Sequence, residues 1–278
     1  MAKIGIFDSG YGGLTILEAI RRELPQYDYL YMGDNARAPY GTHSFDVIYR
    51  YTLQAVKYLF EQDCALVILA CNTASAKALR TIQQNDLPRI NAERAAGHKV
   101  NVLGVIRPTV EAVPAMTKTG HVGVLATPAT VSSESYVLEL EKIASNLTIS
   151  QQACPMWVPL IEAGEHNSSG ADYFVEKYIR EILSKDAQID TLVLGCTHYP
   201  LLKEKIAQTA KNIGIIAQGD LVAKSLADYL SRHPEYREQL SLNASCTYLT
   251  TENADRFSQS ASNFLSAPIS AKTIQLGE

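Results

Sequence analysis

The 278-residue sequence has few charged residues: Asp, Glu, Lys and Arg make up 19%, against about 25% in an average soluble domain, and the formal net charge is −4. Its 46% apolar content excludes a disordered chain, which combines low hydrophobicity with high net charge. Lysine and arginine form no cluster of the kind that neutralises phosphates, so we expect no nucleic-acid partner. The longest apolar run, residues 64–71, is eight residues long and far too short to span a membrane.

Cysteine is sparse and irregularly spaced. The five cysteines stand at positions 64, 71, 154, 196 and 246, and no two have Cys-x-x-Cys spacing. This excludes zinc-ribbon and thioredoxin-type motifs, so we expect no metal site. The N-terminal segment reaches Asp8 too early for the apolar core of a signal peptide. We therefore predict a cytoplasmic protein with reduced thiols.

Short apolar runs alternate with longer amphipathic segments along the chain. Runs that are apolar on both faces are typical of parallel strands covered by helices on both sides. They lie at residues 4–7, 29–32, 65–70, 100–106, 122–126, 192–194, 213–217, 245–249 and 272–276. Helical periodicity lies between them, at residues 14–24, 45–62, 74–84, 109–117, 171–184, 201–212, 221–231 and 254–265. The alternation predicts the α/β class, with parallel sheets joined by crossover helices.

Chain length and two irregular segments suggest two domains. A chain of 278 residues suits about two domains. Residues 85–99 are polar and lose the apolar period, and a second change falls near residues 212–214. We predict a first α/β domain formed by residues 1–98 plus 213–278, and a second formed by residues 99–212.

Residues 66–74 (LVILACNTA) and 191–198 (TLVLGCTH) echo one another. In each segment an apolar strand ends at a small residue and a cysteine, and a hydroxyl residue follows. Ligands of open α/β sheets bind beyond the carboxyl ends of strands, so Cys71 and Cys196 stand where chemistry usually occurs. A buried cysteine is most often only a small apolar side chain. We interpret the remaining three cysteines in that way, but the matched context favours a functional role for these two.

Two opposed thiols can invert a stereocentre. One thiolate takes a proton from a carbon acid, and the opposite thiol returns a proton to the other face. This chemistry needs no cofactor and we predict none, although a lysine-bound pyridoxal group stays open at this point. Thr73 and Thr197 are expected to cap the helices that follow the cysteines and to donate to a bound anion.

The glycine-rich turn at residues 8–15 offers an alternative. It partly fits the dinucleotide pattern Gly-x-Gly-x-x-Gly, but Thr15 stands at the last glycine position. Asp34 falls about where a ribose-binding acid is expected, although a pair with Arg37 would be only local scaffolding. Asp8 either caps the next helix or reaches a ligand. A dinucleotide site is thus the weaker interpretation.

Taken together, these segments resemble the glutamate racemases, cofactor-independent enzymes that supply D-glutamate for peptidoglycan. The resemblance runs through most of the chain and includes four blocks in the family's order. They are residues 7–14 (FDSGYGGL), 34–41 (DNARAPYG), 70–75 (ACNTAS) and 194–201 (LGCTHYPL). The resemblance implies two similar parallel-sheet α/β domains facing each other across an active-site cleft, an isomerase acting on L- and D-glutamate, and a homodimer.

The resemblance also implies catalytic roles. Cys71 and Cys196 match the acid/base thiols on opposite faces of the substrate α-carbon, with Cys71 handling the proton of the D-enantiomer and Cys196 that of the L-enantiomer. Asp8 matches an acid near the first thiol, where it accepts a proton or holds the substrate ammonium. His198 matches the residue beside the second thiol, and Glu162 matches a third assisting acid. A mere helix cap at His198 and a solvated loop acid at Glu162 stay open.

Further positions match those that hold glutamate. Amides and hydroxyls bind two carboxylates without a cation that would compete for the thiolate charge. The matching residues are Asp8, Ser9, Pro39, Tyr40, Gly41, Asn72, Thr73, Thr127, Thr130, Thr197 and His198.

The sequence departs from the family pattern at several places. Ala126 and Ala129 replace glycines that many members have, and Ala163 stands where an acid is common. Near residues 217–220 (AQGD) many members carry an Asp-Ser pair that is absent here, and we assign this segment no role.

Two other functions stay open. One is racemisation of aspartate or another amino acid by a relative with the same two thiols. The block at residues 196–200 favours glutamate, because aspartate relatives usually differ after that cysteine. The other is a catalytically idle amino-acid-binding protein, which the retention of both thiols disfavours.

Overall fold

The computed structural model describes residues 1–95, 98–265 and 267–277. Its strands form two sheets in which neighbouring strands are parallel. In chain order the strands are β1 (Lys3–Asp8), β2 (Tyr29–Gly33), β3 (Cys64–Leu69), β4 (Asn101–Gly104), β5 (His121–Ala126), β6 (Thr148–Ala153), β7 (Thr191–Gly195), β8 (Gly214–Ile216), β9 (Cys246–Thr250) and β10 (Ala271–Thr273).

Each sheet carries one of the two matched cysteines on an internal strand. The first sheet has the order β10-β9-β2-β1-β3-β4, and the second has the order β6-β5-β7-β8. Cys71 follows β3 and Cys196 follows β7, and both strands are buried along their whole length. Continuous apolar runs suit this position, because helices cover both faces of a parallel sheet. The predicted fold class, two parallel-sheet α/β domains, is confirmed.

Helices connect most of the strands. They are α1 (Gly13–Glu23), α2 (Phe45–Glu61), α3 (Asn72–Lys77), α4 (Leu79–Thr81), α5 (Leu87–Ala92), α6 (Ile106–Met116), α7 (Pro128–Ser132), α8 (Ser135–Ile143), α9 (Trp157–Glu162), α10 (Ser169–Lys185), α11 (Lys203–Thr209), α12 (Gly219–Arg232), α13 (Pro234–Arg237) and α14 (Ala254–Ala261). Shorter 3₁₀ turns lie at Asn35–Arg37, Tyr40–Thr42 and Tyr199–Leu202, and the π-helical segment Ile82–Asp86 joins α4 to α5. Among the helices described, none has the length and apolarity that crossing a membrane requires.

The strand pairing corrects both predicted domain boundaries by one strand. β4 pairs with β3 and belongs to the first sheet, although residues 99–212 were expected in the second domain. β8 pairs with β7 in the second sheet, although residues 213–278 were expected in the first domain. The change of sheet therefore comes after residues 85–99, because β4, which follows them, still pairs with β3.

The chain therefore crosses between the domains twice. It leaves the first domain at Val105, between β4 and α6, and α6 packs on α8 and β8 of the second domain. It returns at residues 217–218, between β8 and α12, and α12 packs on α1 of the first domain.

Candidate active site

A small cavity of about 80 Å³ lies between the two domains. Both matched cysteines line it, one from each sheet, and the size suits a small molecule rather than a macromolecular segment. Its lining residues are Ser9, Pro39, Tyr40, Gly41, Thr42, Cys71, Asn72, Thr73, Thr127, Pro128, Cys154, Pro155, Val158, Pro159, Glu162, Cys196, Thr197 and His198.

The first thiol caps the helix that follows it. Cys71 is the N-cap residue of α3, and its Sγ accepts the Ala74 N–H at 3.4 Å. The Ser9 hydroxyl oxygen lies 3.4 Å from the same sulfur. Thr73 lies inside the helix, so the expectation that it caps α3 is wrong. Burial and the negative charge of Asp8 raise the pKa of Cys71 to about 12, although the hydrogen bonds from Ser9 and Ala74 oppose the shift.

Asp8 lies behind this thiol at the end of β1. Its Oδ2 accepts the Gly10 N–H at 2.9 Å, whereas its buried Oδ1 has no hydrogen-bond partner among the residues that the structure describes. Burial raises the pKa of Asp8, and the charge of His198 and backbone hydrogen bonds oppose that shift. A buried carboxylate oxygen without a partner is costly. This corner of the cavity therefore favours a cationic ligand group.

The second thiol has a histidine beside it instead of a carboxylate. Cys196 Sγ lies 3.8 Å from His198 Nδ1, and His198 Nε2 lies 3.0 Å from Glu162 Oε1. Burial lowers the pKa of His198, but the hydrogen bonds to Cys196 and Glu162 outweigh it and raise the pKa to about 10. The ring therefore carries two N–H donors at neutral pH, one directed to the sulfur and one to the carboxylate. The His198 side chain makes no capping hydrogen bond to the turn that follows it, so the helix cap that the sequence left open is excluded.

The turn after Cys196 differs from the turn after Cys71. A 3₁₀ turn, Tyr199–Leu202, follows it, and no side chain caps that turn. The expectation that Thr197 is a helix cap is therefore wrong. Its backbone carbonyl instead accepts a hydrogen bond from the Thr15 hydroxyl of α1 at 3.1 Å.

Two glycines allow the domains to approach closely. A Cβ atom on Gly12 would stand 2.4 Å from both His198 Nδ1 and Thr197 Oγ1. A Cβ atom on Gly41 would stand 3.0 Å from Thr127 Cβ. At Gly12 only a hydrogen fits against the second domain, whereas at Gly41 a side chain would require Thr127 to shift slightly.

A hydroxyl cluster closes the cavity beside Cys71. Thr73 Oγ1 and Thr127 Oγ1 lie 3.0 Å apart, and Thr127 Oγ1 lies 3.0 Å from Thr130 Oγ1. Thr127 is also the N-cap of α7, where its hydroxyl accepts the Thr130 N–H at 3.3 Å. Since each hydroxyl both donates and accepts, the cluster can direct a donor at a ligand carboxylate.

The loop after β2 is held by a buried carboxylate. Asp34 is fully buried and accepts hydrogen bonds from Arg37 Nε at 2.8 Å, from the Thr251 hydroxyl at 2.9 Å and from the Tyr40 hydroxyl. These bonds fix the segment that carries Pro39 and Gly41 at the cavity wall. Both carboxylate oxygens of Asp34 are thus occupied by groups of the protein. Asp34 is therefore not available to bind a ribose, which argues against the dinucleotide site.

The predicted site residues come together. All of them line the cavity except Asp8 and Thr130, which lie immediately behind it in contact with lining residues. Cys154 was expected to be inert, yet it lines the cavity after β6, a polar strand that the apolar runs did not reveal. The other lining residues that the sequence did not single out are Thr42, Pro128, Pro155, Val158 and Pro159. Across residues 1–95, 98–265 and 267–277, no three His, Cys, Asp or Glu side chains form a group that could hold a metal ion.

Comparison with known proteins identifies the same family that the motifs resemble. Residues 14–226 match the family model described as Asp/Glu/Hydantoin racemase. The glutamate racemase of Ruegeria sp. (strain TM1040) is 40% identical over 273 residues, which cover 94% of this chain and 96% of that protein. The expected resemblance is confirmed.

Two solved structures are similar over nearly their whole length. Glutamate racemase isoform RacE1 of Bacillus anthracis has a TM-score of 0.87 and 30% identity, covering 99% of this chain and 98% of that one. Glutamate racemase of Francisella tularensis, solved in complex with D-glutamate, has a TM-score of 0.86 and 32% identity, with coverage of 99% and 98%. The expectation of an isomerase is confirmed, and the chain belongs to the Asp/Glu/hydantoin racemase family.

Proposed function

We propose that this protein interconverts L- and D-glutamate by proton transfer between two thiols, without a cofactor. The observation that carries the proposal is the position of Cys71 and Cys196, which reach one small cavity from the ends of internal strands in two separate sheets. Relatives at about 40% identity and structural neighbours over the whole chain are glutamate racemases, which supports glutamate as the substrate.

Two proton transfers convert one enantiomer into the other. The Cys71 thiolate removes the α-proton of D-glutamate and becomes a thiol, which leaves a carbanion delocalised into the α-carboxylate. The Cys196 thiol then donates its proton to the opposite face, which gives L-glutamate and a Cys196 thiolate. The reverse reaction exchanges the roles of the thiols. Exchange with solvent protons resets the pair before the next turnover in the same direction.

The substrate itself supplies the charge that Cys71 needs. In the free protein, burial and Asp8 hold the pKa of Cys71 far above neutral. A substrate ammonium beside the unpartnered Oδ1 of Asp8 offsets the carboxylate charge and favours the thiolate. On the other face, the protonated ring of His198 stabilises a developing Cys196 thiolate, and Glu162 holds the ring in place.

The remaining lining residues suit the two carboxylates of glutamate. Asn72 and Thr197 stand next to the thiols in sequence and are placed for the α-carboxylate. The hydroxyls of Thr73 and Thr127 lie opposite the Gly41 loop and suit the side-chain carboxylate. On the strength of the family resemblance, we further propose a cytoplasmic homodimer that supplies D-glutamate for peptidoglycan.

One assay tests the proposal against its alternatives. Purified protein, without added pyridoxal phosphate or metal, is followed by circular dichroism with L-glutamate and L-aspartate side by side. We expect racemisation of glutamate, and in D₂O we expect deuterium to enter the product enantiomer preferentially. Faster turnover of aspartate would identify an aspartate racemase. Glutamate binding without turnover by the reduced protein would identify an idle relative.

A further inference from the structure

Gln218 stands at the centre of a buried polar network that no catalytic role described above includes. It is the residue before α12, where the chain returns from the second domain to the first, and it is 2% exposed. It does not line the cavity. An amide buried at a domain crossing needs partners for its donors and its acceptor, so those partners indicate what it holds.

The first partner is Asn72, the residue directly after Cys71. Asn72 Nδ2 donates to Gln218 Oε1 at 2.5 Å, and Gln218 Nε2 lies 3.0 Å from the hydroxyl of Tyr136. Tyr136 in turn donates its hydroxyl hydrogen to Asn72 Oδ1 at 2.7 Å. The three side chains close a ring in which each group donates one bond and accepts one. Closed rings of this kind rigidify a buried site, because each bond polarises the next.

The second hydrogen on Gln218 Nε2 reaches the other domain crossing. It is placed to bond the hydroxyl of Thr109 at 2.9 Å, and that hydroxyl donates to the carbonyl of Val105 at 2.7 Å. Val105 is the residue at which the chain first leaves the first domain. One carboxamide therefore connects both crossings of the chain with the residue next to the first thiol.

We propose that Gln218 is a positioning residue that fixes the Asn72 carboxamide, and through it the Cys71 turn, against the two domain crossings. The proposal rests on the proposed racemase function only for its kinetic consequences. Its structural content is that the geometry at Cys71, including the 3.4 Å contact of the Ala74 N–H with the sulfur, depends on the Gln218 amide. Among the described residues, Cys196 makes no hydrogen bond to this network, although the Tyr136 ring lies beside Gly195, the residue before Cys196. Both test variants below keep the Tyr136 ring in place.

The test replaces the amide with an apolar side chain of similar length, Gln218→Met. The readout is alkylation of each thiol by iodoacetamide, quantified by peptide mass spectrometry from about pH 7 to 10. Loss of bonds worth about 1 kcal/mol each loosens the turn and weakens the contact of the Ala74 N–H with the sulfur. Because that contact favours the reactive thiolate, we expect Cys71 to be alkylated at least about threefold more slowly at a given pH. We expect the alkylation rate of Cys196 to stay unchanged. In the racemase assay we expect kcat to fall about tenfold, since misplacing a reacting group is costly. The primary isotope effect should rise with α-deuterated D-glutamate and stay constant with α-deuterated L-glutamate.

A matched control is Gln152→Met. Gln152 is also a buried glutamine, and its amide bonds Glu181 and a backbone carbonyl without touching Asn72. We expect the control to leave the alkylation rates of both thiols unchanged. If Gln218→Met does not fold, the variant Tyr136→Phe tests the proposal instead, because it deletes one hydroxyl of the same hydrogen-bonded ring. We expect it to slow the alkylation of Cys71 and not that of Cys196.

Three results overturn the inference: equal changes at both thiols, no change at either, or a control that behaves like Gln218→Met. Alkylation does not require turnover. A protein that fails to racemise glutamate but shows the selective change at Cys71 would therefore contradict the proposed function and support the positioning role.

Discussion

The two thiol turns of this protein begin alike and end differently. Each follows a fully buried parallel strand in its own sheet. Cys71 then caps a helix and faces the carboxylate of Asp8, whereas Cys196 precedes a 3₁₀ turn and contacts the imidazole of His198. The strand ends fix where the sulfurs stand. The polar group beside each sulfur differs: Asp8 comes from the distant strand β1, whereas His198 follows Cys196 by two residues.

Under the proposed function, this difference suits a pseudo-symmetric site to a reaction in which the two faces of the substrate differ. On the first face of the free protein, the pKa values of Asp8 and Cys71 are both raised, so this face favours a bound cation. On the Cys196 face the protein supplies its own cation, the His198 ring, held by Glu162. The proposed substrate carries one ammonium group, so in the proposed mechanism only one face needs a positive charge from the protein.

The largest expected effect removes either thiol. Cys71→Ser and Cys196→Ser should each lower racemisation by about 10²–10⁴-fold, because a positioned acid/base contributes that much. Circular dichroism with each glutamate enantiomer measures the loss. Cys64→Ser is the matched control, since this buried thiol at the start of β3 does not line the cavity, and its rate per folded molecule should equal that of the wild type. An unaffected rate in either of the first two variants would remove that thiol from the mechanism.

A smaller effect comes from Gly12, in the glycine-rich turn between β1 and α1, which contacts the turn after Cys196. Gly12→Ala places a methyl group 2.4 Å from both His198 Nδ1 and Thr197 Oγ1, so we expect the His198 ring to be displaced relative to Cys196. Displacement by about 1 Å costs up to about 10²-fold, so we expect kcat to fall by that order. Because the ring serves Cys196, the isotope effect should rise with α-deuterated L-glutamate rather than with its enantiomer.

The matched control for that variant is Gly170→Ala. This glycine lies in α10, and an added Cβ would meet only Ser168 Oγ, at 3.4 Å. Its kinetics should match the wild type. An equal rise of the isotope effect for both enantiomers in Gly12→Ala would show that the two turns are not independent.

The smallest effect concerns stability and pH. The folded pKa of His198, about 10, exceeds the ordinary value of 6.5 that applies to the unfolded chain. The stabilisation from its proton is therefore fully present below about pH 6.5 and is lost as the pH rises toward 10, by at most about 1.4 kcal/mol per pH unit. Glu162→Gln weakens the hold on that proton, so its free energy of unfolding should fall less than that of the wild type between about pH 6.5 and 8.

Urea denaturation at about pH 6.5 and 8 measures this difference in the free energy of unfolding. Both pH values lie below the range in which cysteine thiols ordinarily titrate. Glu235→Gln is the matched control, because the His233–Glu235 pair is solvent-exposed and water screens it. Its pH dependence should follow the wild type. A Glu162→Gln variant with the wild-type slope would separate Glu162 from the protonation of His198.

The apolar strands of the fold could be predicted, and the polar edge strand β6 could not. β3 and β7 are continuous apolar runs, and a run of that kind is typical of a covered parallel strand. β6 (TISQQA) is polar and partly exposed at the edge of the second sheet, so it has no apolar signal, and Cys154 at its end was missed as a cavity residue. The domain boundaries were wrong because a short strand such as β4 or β8 does not reveal by its own pattern which sheet it joins.

The candidate site shows the same limit. Motif blocks identified the residues that face the cavity, because those residues are adjacent in sequence to strand ends. Gln218 received no role, since its partners Asn72 and Tyr136 are distant in sequence and only the fold brings the three amide and hydroxyl groups together. The caps at Thr73 and Thr197 were wrong for a related reason: the cysteine itself, or no side chain at all, occupies the cap.

The two chain crossings, at Val105 and at residues 217–218, also set how the cavity can open. Two domains joined by a single linker can rotate relative to each other about any axis. Two linkers restrict the relative rotation to the line that passes through both. We expect any relative rotation of the two domains to follow this line, so that the separation of the two sulfurs changes along one coordinate.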